Sequence, residues 1–411
     1  MERKKAKIGF IGLGPTRGYS LMWLSCQIPE IEITALCDVY PDRIEDAEKY
    51  LQEVGRQKPR SFTDYKEFIK EADVDAAIVA TPWAWHVDIS VALLKAGITV
   101  GCEVGGGYSE EDCWLLVRTV EETGTPFMFL ENCCFDKAEL LATNLVRKGV
   151  LGKIVNASGA YCHDLREEIT TGKEKRHYRL AQYTLRNCEN YPTHDLGPIA
   201  KILNINRGNK MASLVSVGSL SAGLKEYVKR KDRQELMDVD FKQSDVVHTL
   251  ITCAGGETIH LKLGTTLPHY YDRAFTVEGT KGFFNQSLHA LYLDSDEEHV
   301  CGDSYLNTKK AVGTAEAFEE QYLPRMWKEI TKEEMEQGHG GMDLFMLRTF
   351  VDCILQGKPM PIDVYDAAAW MCISYLSERS IAQGGAPQAI PDFTRGKWIT
   401  RPSMDVISFD E

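Results

Sequence analysis

Lys7-Ile8-Gly9-Phe10-Ile11-Gly12-Leu13-Gly14-Pro15-Thr16-Arg17-Gly18 decides the fold. A short β-rich run passes directly into closely spaced glycines, and these open a helix. Glycines in that place allow a tight turn and let the backbone approach a pyrophosphate seated on the helix N-terminus. The spacing departs from G-x-G-x-x-G, because the third glycine comes one place late and Arg17 stands in its position. Gly12, Gly14, Thr16 and Arg17 are the resulting candidates for cofactor contact.

Asp38 extends the reading. It closes the second strand candidate, 26 residues after Gly12. A carboxylate there accepts hydrogen bonds from the adenosine ribose and repels a 2′-phosphate, so NAD is expected in preference to NADP. Strand candidates at Lys7–Ile11, Ile33–Cys37, Ala76–Ala80, Thr99–Cys102 and Phe127–Leu130 alternate with amphipathic segments such as Asp42–Val54 and Val87–Ala96. That alternation predicts a parallel, doubly wound α/β Rossmann domain over residues 1–131. Thr81-Pro82-Trp83-Ala84-Trp85-His86 follows the third strand candidate, at the strand end where such sheets hold their ligand. Thr81, Trp83, Trp85 and His86 are therefore cofactor candidates, although isolated tryptophans and histidines more often pack in cores.

After Glu131 the rhythm changes. A helix over Lys137–Lys148 leads into a strand at Ile154–Tyr161, and the β-rich runs 212–220, 246–253, 257–266 and 274–279 follow. Gly255-Gly256 reads as a hairpin turn. The prediction is an α+β domain over 132–411 with a mostly antiparallel open sheet, binding substrate and supporting a homo-oligomer (dimer or tetramer). The stretch from about 300 to 338 is rich in Glu and Lys and reads as a surface excursion. Helices return at 342–356 and 364–383.

At 411 residues, 44% hydrophobic and 26% charged, the chain has the balance of a globular protein. A net charge of −13 with no basic block argues against nucleic acid and anionic membrane as partners. Twelve cysteines, including Cys133-Cys134, show no CxxC spacing, so no structural zinc is expected. Free thiols point to the cytoplasm. The basic start Met1–Lys7 precedes an apolar run too short for a signal peptide. Buried thiols such as Cys133 and Cys134 are more often packing than nucleophiles.

Tyr191-Pro192-Thr193-His194-Asp195-Leu196-Gly197-Pro198 places a phenol and an imidazole three residues apart, acid–base groups to work beside that cofactor. His339-Gly340-Gly341 reads either as a loop allowing close backbone approach or as the first turn of the following helix.

These blocks resemble the glucose–fructose oxidoreductase/inositol dehydrogenase superfamily and, more closely, glycoside hydrolase family 109, NAD-dependent α-N-acetylgalactosaminidases. The matching pieces are TPWAWH (81–86), CEV (102–104), LENCCFD (130–136), GAYCHDLR (159–166), YPTHDLGP (191–198), NINRG (204–208), YDRAFTVEGTKG (271–282), GHGGMD (338–343) and DVYDAAAW (363–370). The resemblance implies NAD contacts at Asp38, Trp83 to His86, Glu103, Val104, Asn132 and the Tyr191–His194 segment. It implies sugar contacts at Tyr161, Arg179, Tyr191 and Tyr271. His163, two residues from Tyr161, is expected on the same side of its strand. Dehydrogenases of the superfamily have Glu-Lys-Pro where this chain has Glu103-Val104-Gly105, so the lysine that assists alcohol oxidation is absent, as in family 109. Gly105-Gly106-Gly107 replaces the proline and is expected to loosen that loop.

The activity implied is glycoside cleavage by transient oxidation, one of the exceptions to paired-carboxylate hydrolysis. Oxidising the carbon 3 hydroxyl to a ketone acidifies the hydrogen on carbon 2. A base removes it, the carbon 1 substituent leaves by β-elimination, water adds, and carbon 3 is reduced again. Tyr191 and His194 are the choices around carbon 3, and Tyr161 is the resemblance-led base at carbon 2. The alternative activity is an NAD-dependent sugar or glycoside 3-dehydrogenase with net NADH release.

Overall fold

The computed structural model describes residues 5–294 and 308–409. The basic tip at 1–4 and the part of the polar excursion at 295–307 lie outside the described residues. The chain forms two compact units: Met1–Asp136 with Glu329–Ala368 and Asp405–Ile407, and Lys137–Lys328 with Ala369–Met404 and Ser408–Glu411.

The first unit holds six parallel strands: β1 (Ala6–Ile11), β2 (Ile31–Cys37), β3 (Arg60–Phe62), β4 (Ala76–Val79), β5 (Thr99–Cys102) and β6 (Phe127–Phe129). Their order, β3-β2-β1-β4-β5-β6, is that of the doubly wound dinucleotide-binding fold. β4 is buried at every residue, as parallel strands covered on both faces must be. β3 is the strand that sequence patterning missed. It has three residues, of which only Phe62 is buried, so it carries no periodicity to read. Its presence makes the strand before Thr81 the fourth and the one before Glu103 the fifth.

The helix Met342–Gln356 belongs to this unit, whereas the sequence reading assigned everything after residue 131 to the second domain. Packing decides the matter. A Cβ at Gly101 on β5 would lie only 3.0 Å from the Phe350 ring, so the helix seats directly on the parallel sheet.

The second unit contains an eight-stranded sheet: β7 (Ile154–Cys162), β8 (Met211–Gly218), β9 (Val247–Cys253), β10 (Thr258–Gly264), β11 (Thr276–Gly279), β12 (Gly282–Asn285), β13 (Ala290–Leu293) and β14 (Gln388–Ala389). The order is β13-β12-β11-β7-β10-β9-β8-β14, antiparallel except between β7 and β10. β9 alternates buried and exposed side chains along its length, the signature of a sheet covered on one face. The helix Thr193–Ile202 packs on that covered face. Gly159 of β7 permits the approach, since a Cβ there would come within 2.6 Å of the Asp195 Cβ.

The described part of the polar excursion differs from a plain surface loop. It forms short helices, Thr308–Ala311, Glu316–Tyr322, Arg325–Lys328 and Lys332–Met335, and buries Ala315, Leu323 and Trp327. These few apolar anchors are spaced too irregularly among charges to stand out in the sequence.

Candidate active site

In the first unit the cofactor candidates gather at the C-terminal ends of the parallel strands. Gly12 has φ +92°, and a Cβ on it would meet the Ala80 carbonyl oxygen at 2.6 Å. Only glycine allows the first turn to lie this close to the end of β4. Asp38 is buried and already oriented: Oδ2 accepts from the Leu13 N–H at 2.7 Å and Oδ1 from the Tyr40 N–H at 2.9 Å. Arg43 Nη1 lies 3.6 Å from Asp38 Oδ2.

His86 is buried and bridges two strand-end loops. Its Nε2 is 2.7 Å from the Thr81 carbonyl and its Nδ1 3.0 Å from the Gly105 carbonyl. Burial lowers its pKa, against the pull of those two carbonyls. The glycine run beyond it packs closely against Trp83 and His86. Gly105 and Gly106 have φ +92° and +94°, and a Cβ on Gly105 would fall 2.4 Å from the Trp83 ring. Three small residues here allow close packing. Trp83 is buried beneath the loop, Trp85 is half exposed, and Thr16 lies on the surface.

Arg17, Glu103, Asn132 and Asp343 form one network. The Arg17 guanidinium donates to Glu103 Oε1 through Nε at 2.7 Å and to Asp343 Oδ2 through Nη1 at 2.7 Å. Asp343 also accepts from Asn132 Nδ2 and from His339 Nδ1, both at 2.7 Å. Glu103 Oε2 faces the Val104 N–H at 3.3 Å. Burial alone would raise the Asp343 carboxyl, but Arg17 and His339 outweigh it and hold the group well below the usual carboxylate range. Burial likewise opposes the Arg17 charge, and Asp343 and Glu103 together raise it well above its ordinary value. Asp343 escaped the sequence reading although it ends the GHGGMD block, because Arg17 and Asn132, two of its three partners, lie more than two hundred residues away.

These residues fit a dinucleotide. The glycine turn is tight, Asp38 is held at the end of β2, and Thr81 Oγ1 is a buried oxygen without a hydrogen-bond partner among the described residues.

In the second unit the end of β7 gathers the other candidates. The Tyr161 and Tyr191 rings lie 4.6 Å apart, and Tyr161 meets His194 at 5.5 Å and Tyr271 at 6.1 Å. Tyr191 Oη is 3.3 Å from His194 Nε2. His163 stands edge-on to Tyr161 and Tyr271, at 6.2 and 5.4 Å. Its pKa is lowered, chiefly by burial.

Arg179 opens the helix Arg179–Leu185 with its guanidinium 5.1 Å from the Tyr191 ring centre and Nε 2.6 Å from Glu168 Oε1. Burial opposes its charge, but Tyr178, Tyr161, Glu168 and Tyr191 hold it well above its ordinary value. Glu168 and the buried pair Arg273–Glu139, 2.9 Å apart behind Tyr271, were not singled out from sequence. Their importance is purely one of spatial neighbours.

A doubly wound nucleotide domain joined to an open mostly antiparallel sheet defines a class of NAD-binding oxidoreductase fold. Residues 6–129 match the oxidoreductase family with an NAD-binding Rossmann fold, and residues 135–400 match the glycosyl hydrolase 109 C-terminal domain. A glycosyl hydrolase family 109 protein from Solibacter usitatus is 36% identical, covering 96% of this chain and 90% of its own. An alpha-N-acetylgalactosaminidase from Tannerella forsythia is 34% identical, covering 96% and 87%. Among solved structures, levoglucosan dehydrogenase in complex with NADH and levoglucosan aligns with a TM-score of 0.69 at 18% identity, covering 94% of this chain and 100% of that one. Scyllo-inositol dehydrogenase from Lactobacillus casei, with bound NAD(H) and scyllo-inositol, aligns at 0.66 and 17%, covering 94% and 99%. The chain belongs to glycosyl hydrolase family 109. It is an NAD-dependent glycosidase.

Proposed function

We propose that the protein cleaves an α-N-acetylgalactosaminide or a close relative by oxidation at carbon 3, elimination, hydration and reduction. The observation that carries the reading is the tyrosine–histidine–arginine cluster at the end of β7. The name of the Tannerella forsythia relative supports the sugar. Bound NAD, held by the Gly12 turn, Asp38 and Thr81, supplies the reversible oxidation of the carbon 3 hydroxyl.

The chain's own residues move the protons. Tyr191 and His194, 3.3 Å apart, take the carbon 3 hydroxyl proton and give it back. Tyr161, with the Arg179 charge close by, removes the carbon 2 proton that the neighbouring ketone has made acidic. His163, Arg179 and Tyr271 hold the sugar. The test is a glycoside panel assayed in deuterated water for released aglycone and for NADH. Aglycone release with deuterium on carbon 2 and no NADH accumulation is the expected result. Hydrolysis without exchange at carbon 2 overturns the elimination route, and stoichiometric NADH release identifies a dehydrogenase instead.

Two further expectations belong to this reading. The eleven described cysteines are all free thiols, which supports a reducing, cytoplasmic setting. The sheet face opposite the helix Thr193–Ile202 exposes Val217, Leu250 and Tyr292 among the described residues, which supports homo-oligomer formation through that face. Light scattering on wild type and Leu250→Glu tests this. A monomeric wild type removes the proposal.

A further inference from the structure

Arg43 lies in the first turn of the helix Pro41–Glu53, which follows β2. Its side chain is 15% exposed, and Nη1 stands 3.6 Å from Asp38 Oδ2, close enough for an ion pair but too long for a hydrogen bond. The guanidinium lies over the Tyr40 ring, 4.7 Å from its centre. It also reaches the glycine turn. A Cβ on Gly14 would have Arg43 Nη1 at 3.8 Å, with no other heavy atom within 4 Å beyond the chain neighbours among the described residues. Among those residues the guanidinium donates no hydrogen bond, so its N–H groups stand unspent in a largely shielded place. Asp38 differs, with each carboxyl oxygen already accepting one backbone N–H.

A carboxylate at the end of β2 takes the ribose 2′-hydroxyl of NAD, and NADP carries its extra phosphate on that oxygen. A charge beside Asp38 therefore acts on the phosphate as Asp38 does, with the opposite sign. We propose that Arg43 is a second determinant of cofactor choice, offsetting the repulsion between Asp38 and a 2′-phosphate. The preference between NAD and NADP is then set by the pair. Arginine suits this role because its guanidinium keeps its charge and meets phosphate oxygens in a bidentate fork. While Asp38 is present, the Arg43 charge is drawn to that carboxylate and NAD prevails. Without Asp38, the same guanidinium is released to the phosphate.

Calorimetric titration of the full chain with NAD and with NADP tests the pair through Asp38→Ala, Arg43→Ala and the double variant. Asp38→Ala should narrow the gap between the two cofactors. Adding Arg43→Ala to it should weaken NADP relative to NAD by about ten- to a hundredfold, the worth of a hydrogen bond to a charged group. This background separates the proposal from a purely structural role, because an Arg43 that only orients Asp38 has nothing left to orient. Asp38→Ala with Arg43→Lys keeps the charge without the fork and should fall between. Adenosine 2′,5′-bisphosphate against 5′-AMP should repeat the contrast on fragments. An unchanged NADP affinity in the double variant relative to Asp38→Ala, or an equal loss of NAD and NADP, overturns the role of Arg43. The titrations need no glycoside, so their outcome is separate from that of the glycosidase reading.

Discussion

Replacing Asp343 by alanine removes the acceptor on which Arg17, Asn132 and His339 converge. The Asp343 side chain is 1% exposed and that of Arg17 22%, so the pair is shielded on one side and nearly so on the other. Breaking a buried ion pair from one end costs about 3–5 kcal/mol. Arg17 keeps Glu103, which favours the lower end, but Asn132 loses its acceptor, worth about 1–3 kcal/mol when buried. A loss of about 3–4 kcal/mol follows. The first unit has about 180 residues, for which each kcal/mol moves the midpoint by about 2–4 °C, so calorimetry should show a drop of roughly 6–16 °C. The pH dependence has a definite sign. Because the folded carboxyl is held below its ordinary value, its contribution is complete above about pH 3.9 and is lost as pH falls toward the folded pKa. The gap between wild type and variant should therefore be full at neutral pH and narrow in acid. Arg17→Met with Asp343→Leu should lose less than the two single changes added together, since neither partner of the Arg17–Asp343 pair is left behind, while Glu103 loses Arg17 in the Arg17→Met single and in the double alike. A single-variant loss below about 1 kcal/mol, or strict additivity in the double, refutes the network as an energetic unit.

Gly105→Ala should cost stability and NAD affinity together, because its φ of +92° and the Trp83 ring at 2.4 Å leave no room for a methyl group; unchanged melting and unchanged NAD titration count against the close-packed loop. His194→Ala should lower turnover by roughly 10²–10⁴-fold with NAD still bound, and Tyr191→Phe should compound it less than multiplicatively; restoration of the rate by saturating NAD would make His194 a cofactor support instead. NAD should bind more tightly than NADP, and Asp38→Ala should narrow the difference. Calorimetric affinities that are equal in wild type contradict the role given to Asp38.

The parallel sheet was legible because its strands are short apolar runs, mostly buried, that alternate with helices. Gly12 and Asp38 were legible for a related reason: their chemistry depends on position along one βαβ unit, and that distance is short in sequence. Tyr161, Tyr191 and His194 could be named from a motif, and the structure brings them into one cluster with Arg179. β3 was invisible because three residues with one buried side chain carry no pattern. The network that joins Arg17 to Asp343 was invisible for a different reason. Arg17 stands where the glycine motif expects its third glycine and reads from sequence as a cofactor contact, whereas its guanidinium lies between Glu103 and Asp343. Local backbone geometry and short-range periodicity are written along the chain, so the sequence alone determined the fold class and the cofactor turn. A charge acquires its function from the dielectric and the partners around it, and those are assembled only when distant segments pack together.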